Sequence, residues 1–546
     1  MEYLRKIIKN KYLYLILIII IAAFLRFSNL GQNPPSLTWD EAAWGYNAYS
    51  LGIDGKDEFG KFLPVTYLES FGDFKPVMYA YLDVVPVKIF GLNEFATRFP
   101  SALFGVLSVF ITYFLVGIIF QKSKNKDQIS LFSSLFLAIS PWHIMLSRAA
   151  FEANVASFFI IFGVFAFLEG VLSRKWFLIL SAASFALSFY VFNTARVVSP
   201  ILVLMLVIAF RNKLWEMKGT AVFAGLVGFL IFLPTLKFLL TPQASLRFQE
   251  VNIFSDTSII KTSNQEILND NNVWWSKIIH NRRFLYGLDY LKHYFDNLNP
   301  GFLFITGDGN PKFSTKNVGQ MYIWDMVFFV SGLLLLFRKK EDRWWLIPVW
   351  LLIGIVPAAL AKETPHALRI ESSLPTFQII TAYGFVQLSC GIKKYKKIIV
   401  SCLLLLLSIN FFYFYHDYSY NYRYDYSGEW QYGYKQSIGY VKSVENKYDF
   451  IQVSNYLGRP YIYYLFYTKT DPDYFRKTAN ISRDIFGFVA VNSFGKYIFP
   501  QNFSHDLSNT QKVLYLDSSM NLPKTAKVLK RFYLLNGQEI LVAYTI

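Results

Sequence analysis

Two adjacent carboxylates, Asp40 and Glu41, stand in SLTWDEAAWGYNAYS (Ser36–Ser50), a stretch of aromatic and small residues that closely follows a long apolar run. Paired acids of this kind act as a general base, hold a cation, or stabilise a helix start. Thr38 with Glu41 three residues later is a T-x-x-E capping box, and both acids fall in the first turn of the helix it predicts. The box accounts for Glu41, whose structural role therefore stands ahead of a catalytic one. Asp40 is not needed by the box and points about 100° away around the helix; a functional role and a plain surface position are equally open to it. Further along, SFGDFKPVMYAYLDVVPVKIFG brings Asp73, Lys75 and a proline into an aromatic, apolar segment that is too short, and too broken by Pro86, to cross a membrane. Such a segment is expected to lie along a membrane surface with Asp73 and Lys75 at the water–lipid boundary. A lysine there meets a lipid phosphate as a compact charge, or simply snorkels.

These residues need a scaffold, and the composition says which kind. The 546 residues are 54% hydrophobic and 19% aromatic but only 17% charged, below the roughly 25% of soluble domains. This composition predicts a multi-spanning membrane protein. The net charge of +17 is spread through short clusters between apolar runs, which reads as topology rather than as a nucleic-acid surface. Cys390 and Cys402 lack the spacing of a metal site or a disulfide framework and are expected to be packing residues. The start, MEYLRKIIKNKYLYLILIIIIAAFLRF, has the basic and apolar regions of a signal peptide without a small-x-small cleavage site, so a retained anchor is expected, with Lys6, Lys9 and Lys11 on the cytoplasmic side.

Apolar runs of about 17 to 25 residues, some shorter and extended by aromatics, number about eleven. They cover Tyr12–Phe27, Phe99–Phe120, Ile129–Leu146, Val155–Leu172, Trp176–Asn193, Val197–Phe210, Thr220–Leu240, Met321–Phe337, Trp344–Ala361, Ser373–Cys390 and Ile398–Tyr415. With that count the inner loops contain QKSKNK, SRKW, RNKLWEMK, RKKEDR and KKYKK, all basic as the positive-inside rule requires. The outside then receives the loop Asn29–Arg98, the loop Thr241–Gln320, the turn AKETPHALRIES and a tail from His416 to Ile546. The expected division is a membrane domain over 1–415, including outer loops 29–98 and 241–320, and an extracytoplasmic domain over 416–546. In the tail, YKQSIGYVKSVENK reads as a helix and FGFVAVNS, KVLYLD and EILVAYTI as strands, giving a small α+β domain. The aromatic face of PYIYYLFYTKTDP rests on a membrane or, the favoured reading, packs a core.

Ionisable groups are nearly absent from the runs, where Arg26, Glu169 and Lys237 sit near the ends. No chain of buried charges marks an ion path, and no opposed repeat marks a transporter. The chemistry is therefore expected at the outer rim.

The order of a signal anchor, DE early in a long first outer loop, D-x-K-P before a surface helix, and EFATRFPSALFGVLSV entering the second run resembles the polyprenyl-phosphate-sugar-dependent GT-C glycosyltransferases. That family includes the protein O-mannosyltransferases and the lipid A aminoarabinose transferases. The resemblance covers about Met1–Tyr415 and is strongest up to Glu152. It implies a polytopic α-helical membrane protein of GT-C type with about eleven transmembrane helices and a small C-terminal α+β extracytoplasmic domain. The 241–320 loop is too short for the lectin-like insert of eukaryotic mannosyltransferases.

Carried over from the resemblance, Asp40 matches the family's first-loop aspartate, proposed as catalytic base, and Glu41 its neighbour. Asp73 and Lys75 match the D-x-(H/K)-P-P-L segment, with Val77 in place of the second proline. Arg148 in LSRAAFE matches a Ser-Arg after the third span, and His366 and Arg369 in ETPHALRIE resemble a late basic motif. For both arginines the competing role is anchoring a span end. The implied function is transfer of a sugar from a polyprenyl-phosphate-linked donor to an acceptor hydroxyl on protein, lipid or polysaccharide, at the outer face of the cell membrane. A carboxylate takes the hydroxyl proton as the oxygen attacks the anomeric carbon, and Lys and Arg stabilise the departing phosphate. Single displacement inverts the anomeric centre. No required metal is expected, since no His/Cys/Asp cluster has ligand spacing; a divalent cation on the DE pair is the alternative kept open.

Two other functions compete: a non-catalytic carrier or flippase of lipid-linked glycans, and a glycan polymerase with a different donor. Asp308, Asn310 and Lys316 in GDGNPKFSTK are read as a turn before a sugar contact, and His143 in SPWHIM as interfacial packing beside Trp142.

Overall fold

The computed structural model describes residues 10–242, 244–245, 252–391, 396–483, 489–506 and 511–546. Lys6 and Lys9 of the expected anchor, Lys393, Lys394 and Tyr395 of KKYKK, and Phe486, Gly487 and Phe488 of FGFVAVNS lie outside these residues.

Ten of the eleven apolar runs each fall on one helix, from Lys11–Phe27 through Lys396–His416, and Ile129–Leu146 falls on two. Among the described residues three helices are long and apolar enough to cross a membrane, namely Glu94–Ile119, Glu152–Leu172 and Lys218–Leu239. The pair Lys126–Ile139 and Pro141–Arg148, bent by 54°, makes a fourth if it is one span. Pro141 explains the break, because it supplies no N–H to the preceding turn. Phe177–Ser188, Ala195–Ala209 and Leu346–Ala359 are apolar but shorter. Two of these helices stop short of the sequence run, which extends through flanking residues; Trp176–Asn193, for example, yields a helix of 12 residues.

The chain forms two compact units. The first comprises 1–25, 104–146 and 152–414. Within it, Asp325–Lys339 and Thr376–Gly391 approach so closely that a Cβ at Gly332 would lie 2.1 Å from the Ile380 carbonyl oxygen and one at Gly384 2.0 Å from that of Phe328. Small residues permit this contact, as they do between helices in lipid. Only 17% of the apolar window of Lys218–Leu239 is buried, and Val222, Leu226, Phe229 and Leu233 face outward as on a lipid-facing helix. In the 241–320 loop the helix Arg282–Asp296 exposes Phe284, Leu288, Leu291 and Phe295, which share one face by their spacing.

The second unit comprises 26–103, 147–151 and 415–546. The first outer loop and the tail belong to this same unit, and the chain enters it for the last time at Tyr415. The tail forms a sheet in the order Asn480–Arg483, Val489–Phe494, Tyr497–Ile498, Phe450–Val453, Val513–Asp517, Glu539–Thr545, Lys527–Tyr533. Phe450–Val453 runs parallel to both its neighbours, and the other pairings are antiparallel. The expected helix appears as Gly433–Val444. Leu37, Ala42, Ala43 and Tyr46 of the first loop share one core with Ile438, Ile451, Ile462 and Leu465 of the tail. The run PYIYYLFYTKTDP supplies the helix Pro460–Thr468, whose residues 460–466 are all buried, so its aromatic face packs a core. Gly45 makes room for that helix: a Cβ there would stand 2.6 Å from the Phe466 ring and 2.4 Å from the Thr97 Oγ1.

Candidate active site

The helix that carries the paired acids runs Trp39–Asp54 and starts as its sequence predicts. The Glu41 N–H donates to Thr38 Oγ1 (3.2 Å) and the Thr38 N–H to Glu41 Oε2 (2.9 Å), so the capping box is complete. Glu41 does more than cap. Arg98 Nε donates to its Oε1 (2.8 Å), Arg98 Nη2 to its Oε2 (3.3 Å) and the Ala150 N–H to Oε1 (3.0 Å). The remaining Arg98 donors reach the carbonyls of Leu30 (3.1 Å), Pro34 (2.8 Å) and Ser36. Both side chains are closed off, 1% and 0% exposed. All five guanidinium donors and both carboxylate oxygens are satisfied, the condition for a tolerable buried ion pair. Glu41 is thus enclosed, with its carboxylate turned to Arg98 and the Ala150 N–H rather than to solvent.

Asp40 has the opposite setting. Its side chain is 49% exposed and is paired with the ammonium of Lys75, itself only 10% exposed. Lys75 ends the strand Asp73–Lys75, which forms a hairpin with Leu68–Ser70. Its Nζ lies 5.4 Å from the centroid of the Trp44 ring and 5.1 Å from that of Phe71. Asp73, half-buried, is two residues before Lys75 and so belongs to the same side of the strand. The turn residues Phe71 and Gly72 have φ of 61° and 80°, as a two-residue hairpin requires. Gly is free to adopt this conformation, whereas a bulky Phe gives up roughly 1–2 kcal/mol. Beyond the hairpin the helix Met78–Phe90 exposes Val85, Ile89 and Phe90, the apolar surface expected of a segment lying on a membrane.

Arg148 is not a free cation. Its Nη2 donates to the carbonyls of Ser28 (2.8 Å) and Asn33 (2.9 Å), Nη1 to that of Arg26 (3.3 Å) and Nε to the Tyr418 hydroxyl (3.3 Å), and it is buried. It clamps the chain where this leaves the first helix. His366 and Arg369 belong to the other unit. The His366 ring packs against Phe313 with centroids 5.0 Å apart, and its Nδ1 is buried without a partner among the described residues. Burial first, and Arg369 second, push the imidazole down to about 3. Both causes favour the neutral ring over the imidazolium. Arg369 donates from Nη1 to the Glu363 carbonyl (3.2 Å) and is half-buried.

Asp308 accepts from the N–H groups of Ala367 (2.7 Å) and Asn310 (2.8 Å), and burial raises it to about 6. The turn reading of GDGNPKFSTK thus holds, with Asp308 as the tie to the 366–367 turn.

Four groups near these positions escaped the sequence reading. Arg98 had one signal, a lone cation at the head of an apolar run facing two acids. Arg459, which places its guanidinium 4.1 Å from the Phe71 ring centroid and 5.8 Å from that of Trp39, had none beyond a Gly-Arg-Pro turn. Asp83 and Glu371 are fully buried with both carboxyl oxygens unpartnered among the described residues. Burial pushes both well above the usual carboxylate range, helped at Glu371 by Glu152.

Residues 74–238 match the family model described as dolichyl-phosphate-mannose-protein mannosyltransferase. A stretch of 165 residues is 32% identical to an uncharacterized protein of Aquifex aeolicus, covering 30% of this chain and 31% of that relative's length. ArnT from Cupriavidus metallidurans has a similar fold in its apo structure (TM-score 0.51) and in its structure bound to undecaprenyl phosphate (TM-score 0.53), each at 12% identity and over 97% of both chains. At that identity the likeness is one of fold. The chain resembles the polyprenyl-phosphate-sugar-dependent GT-C glycosyltransferases both in the matched segment and in the fold of its whole length.

Proposed function

We propose that the chain is a membrane glycosyltransferase that moves a sugar from a polyprenyl-phosphate-linked donor to an acceptor hydroxyl at the outer face of the membrane. The observation that carries this reading is the Asp40–Lys75 pair: a half-exposed carboxylate beside a nearly buried ammonium on aromatic rings, within a chain of mannosyltransferase-like sequence and ArnT-like fold. At rest Lys75 neutralises Asp40. A donor phosphate draws the ammonium to itself, and the Asp40 carboxylate acts as base.

The acceptor oxygen then bonds to the anomeric carbon as its proton passes to Asp40. The bond from that carbon to the phosphate oxygen breaks, and the polyprenyl phosphate departs with one more negative charge, countered by Lys75. A single displacement of this kind inverts the anomeric centre. Lys75 takes the part a divalent cation plays in many phosphate sites, so turnover is expected to survive a chelator; loss with EDTA and recovery with Mg2+ would move a cation onto Asp40 and its neighbours. We read about eleven helices as spanning the membrane, the N-terminus as cytoplasmic and the 416–546 region as outside. The test is sugar release from a panel of polyprenyl-phosphate sugars by purified chain in lipid. Release from one donor class supports transfer, whereas binding without release for every donor and acceptor tried favours a carrier, and release only from longer lipid-linked glycans favours a polymerase.

A further inference from the structure

The turn residue Phe71 is held at a left-handed φ of 61°, where an aromatic side chain is disfavoured, and its ring receives two cations. Lys75 Nζ stands 5.1 Å from its centroid and the Arg459 guanidinium carbon 4.1 Å, both inside the roughly 6 Å over which a ring face attracts a cation. Lys75 is matched by Asp40. Arg459 has no acid and no hydrogen-bond acceptor among the described residues, and it is exposed. It is fixed nonetheless. Gly458 and Arg459 both have positive φ, 79° and 50°, in a corner that leads into Pro460–Thr468, and a Cβ on Gly458 would touch the Trp39 ring at 3.3 Å. The corner therefore sits against the residue that precedes Asp40.

We propose that Arg459, delivered by the C-terminal domain, is the second cation of the Asp40–Lys75 site and holds the phosphate of the lipid-linked donor. Lys75 and Arg459 bring two cations to the two sides of one ring-lined locus, the kind of group that a phosphodiester meets. Guanidinium fixes two phosphate oxygens in a plane, and Lys75 meets the oxygen that leaves. Phe71 spaces the two and keeps the arginine aimed by stacking rather than by an ion pair that a ligand would have to break. The inference rests on the donor reading above. It gives the tail a role in that reaction.

The test is binding of undecaprenyl phosphate to the full chain in nanodiscs, with the uncharged polyprenol and inorganic phosphate as separate probes. Wild type is compared with Arg459→Gln, Arg459→Lys and Arg531→Gln, the last a surface residue paired with Glu539 away from this site. Arg459→Gln is expected to weaken undecaprenyl phosphate about ten- to a hundredfold, the loss of a charge-assisted bond, with part recovered by Arg459→Lys. Polyprenol binding and the melting temperature should not move, and Arg531→Gln should match wild type. Wild-type affinity in Arg459→Gln would overturn the assignment while leaving the donor reading intact. Equal, Arg459-dependent binding of inorganic phosphate would overturn the lipid source in favour of a soluble anion. Failure of wild type itself to prefer the phosphate over the polyprenol would overturn the donor reading, and this inference with it.

Discussion

Asp40 and Glu41 are neighbours in the chain with opposite surroundings: the Asp40 side chain is 49% exposed beside Lys75, while that of Glu41 is 1% exposed and enclosed by Arg98. Successive helix residues diverge by about 100°, which is enough to send one acid to the rim and the other into the core. The helix start thus divides the work, with Glu41 fixing the turn and Asp40 presented by it.

Removing one partner of the enclosed pair leaves a buried charge unmatched. Arg98→Leu and Glu41→Gln are each expected to destabilise the chain, the arginine change by about 3–5 kcal/mol. Thermal unfolding in detergent measures this, and a melting temperature equal to wild type in Arg98→Leu would refute the anchoring role.

Lys75 is expected to act on the donor. Lys75→Gln should raise the donor KM and lower kcat by at least about tenfold, since the contact strengthens as charge moves onto phosphate. Lys75→Arg should retain donor binding better than it retains rate, because a planar fork does not reproduce a point charge. Steady-state kinetics over donor concentration separates the two.

Gly45 predicts a packing limit. In Gly45→Ala the new methyl meets the Phe466 ring and Thr97 Oγ1, both well inside contact distance. The gain in helix propensity is outweighed, and a net loss of about 1–3 kcal/mol is expected. Urea or thermal melts read it directly.

His366 sets a pH dependence. Its folded value near 3 is below the unfolded 6.5, so between these values the unfolded chain binds more protons and stability falls as pH falls. Asp308 works the other way: raised to about 6 from 3.8, it contributes stability that is lost as pH rises through that window. In His366→Gln the acid loss between pH 6.5 and 3 should flatten, as followed by melting temperature against pH.

Local signals in the sequence proved informative wherever the physics is local. The T-x-x-E box, the helix under each apolar run, Gly433–Val444 and the strands Val513–Asp517 and Glu539–Thr545 follow from neighbouring residues alone. The environment of the charged groups does not. Arg98 reaches Glu41 across 57 positions and Arg148 reaches Arg26 across 122, so whether each was a free cation or a clamp was decided by chain crossings that periodicity does not encode. Phe450–Val453 and Tyr497–Ile498 were missed as strands for the same reason: they are short, and only the surrounding sheet holds them.

The most direct measurement of the central claim is single-turnover sugar transfer by Asp40→Asn at saturating donor, with donor binding measured on the same preparation. The account predicts a rate lower by about 100- to 10,000-fold, the usual reach of a general base, with donor affinity and melting temperature near wild type. A rate within about twofold of wild type, with the donor bound, would contradict it and take Asp40 out of the chemistry.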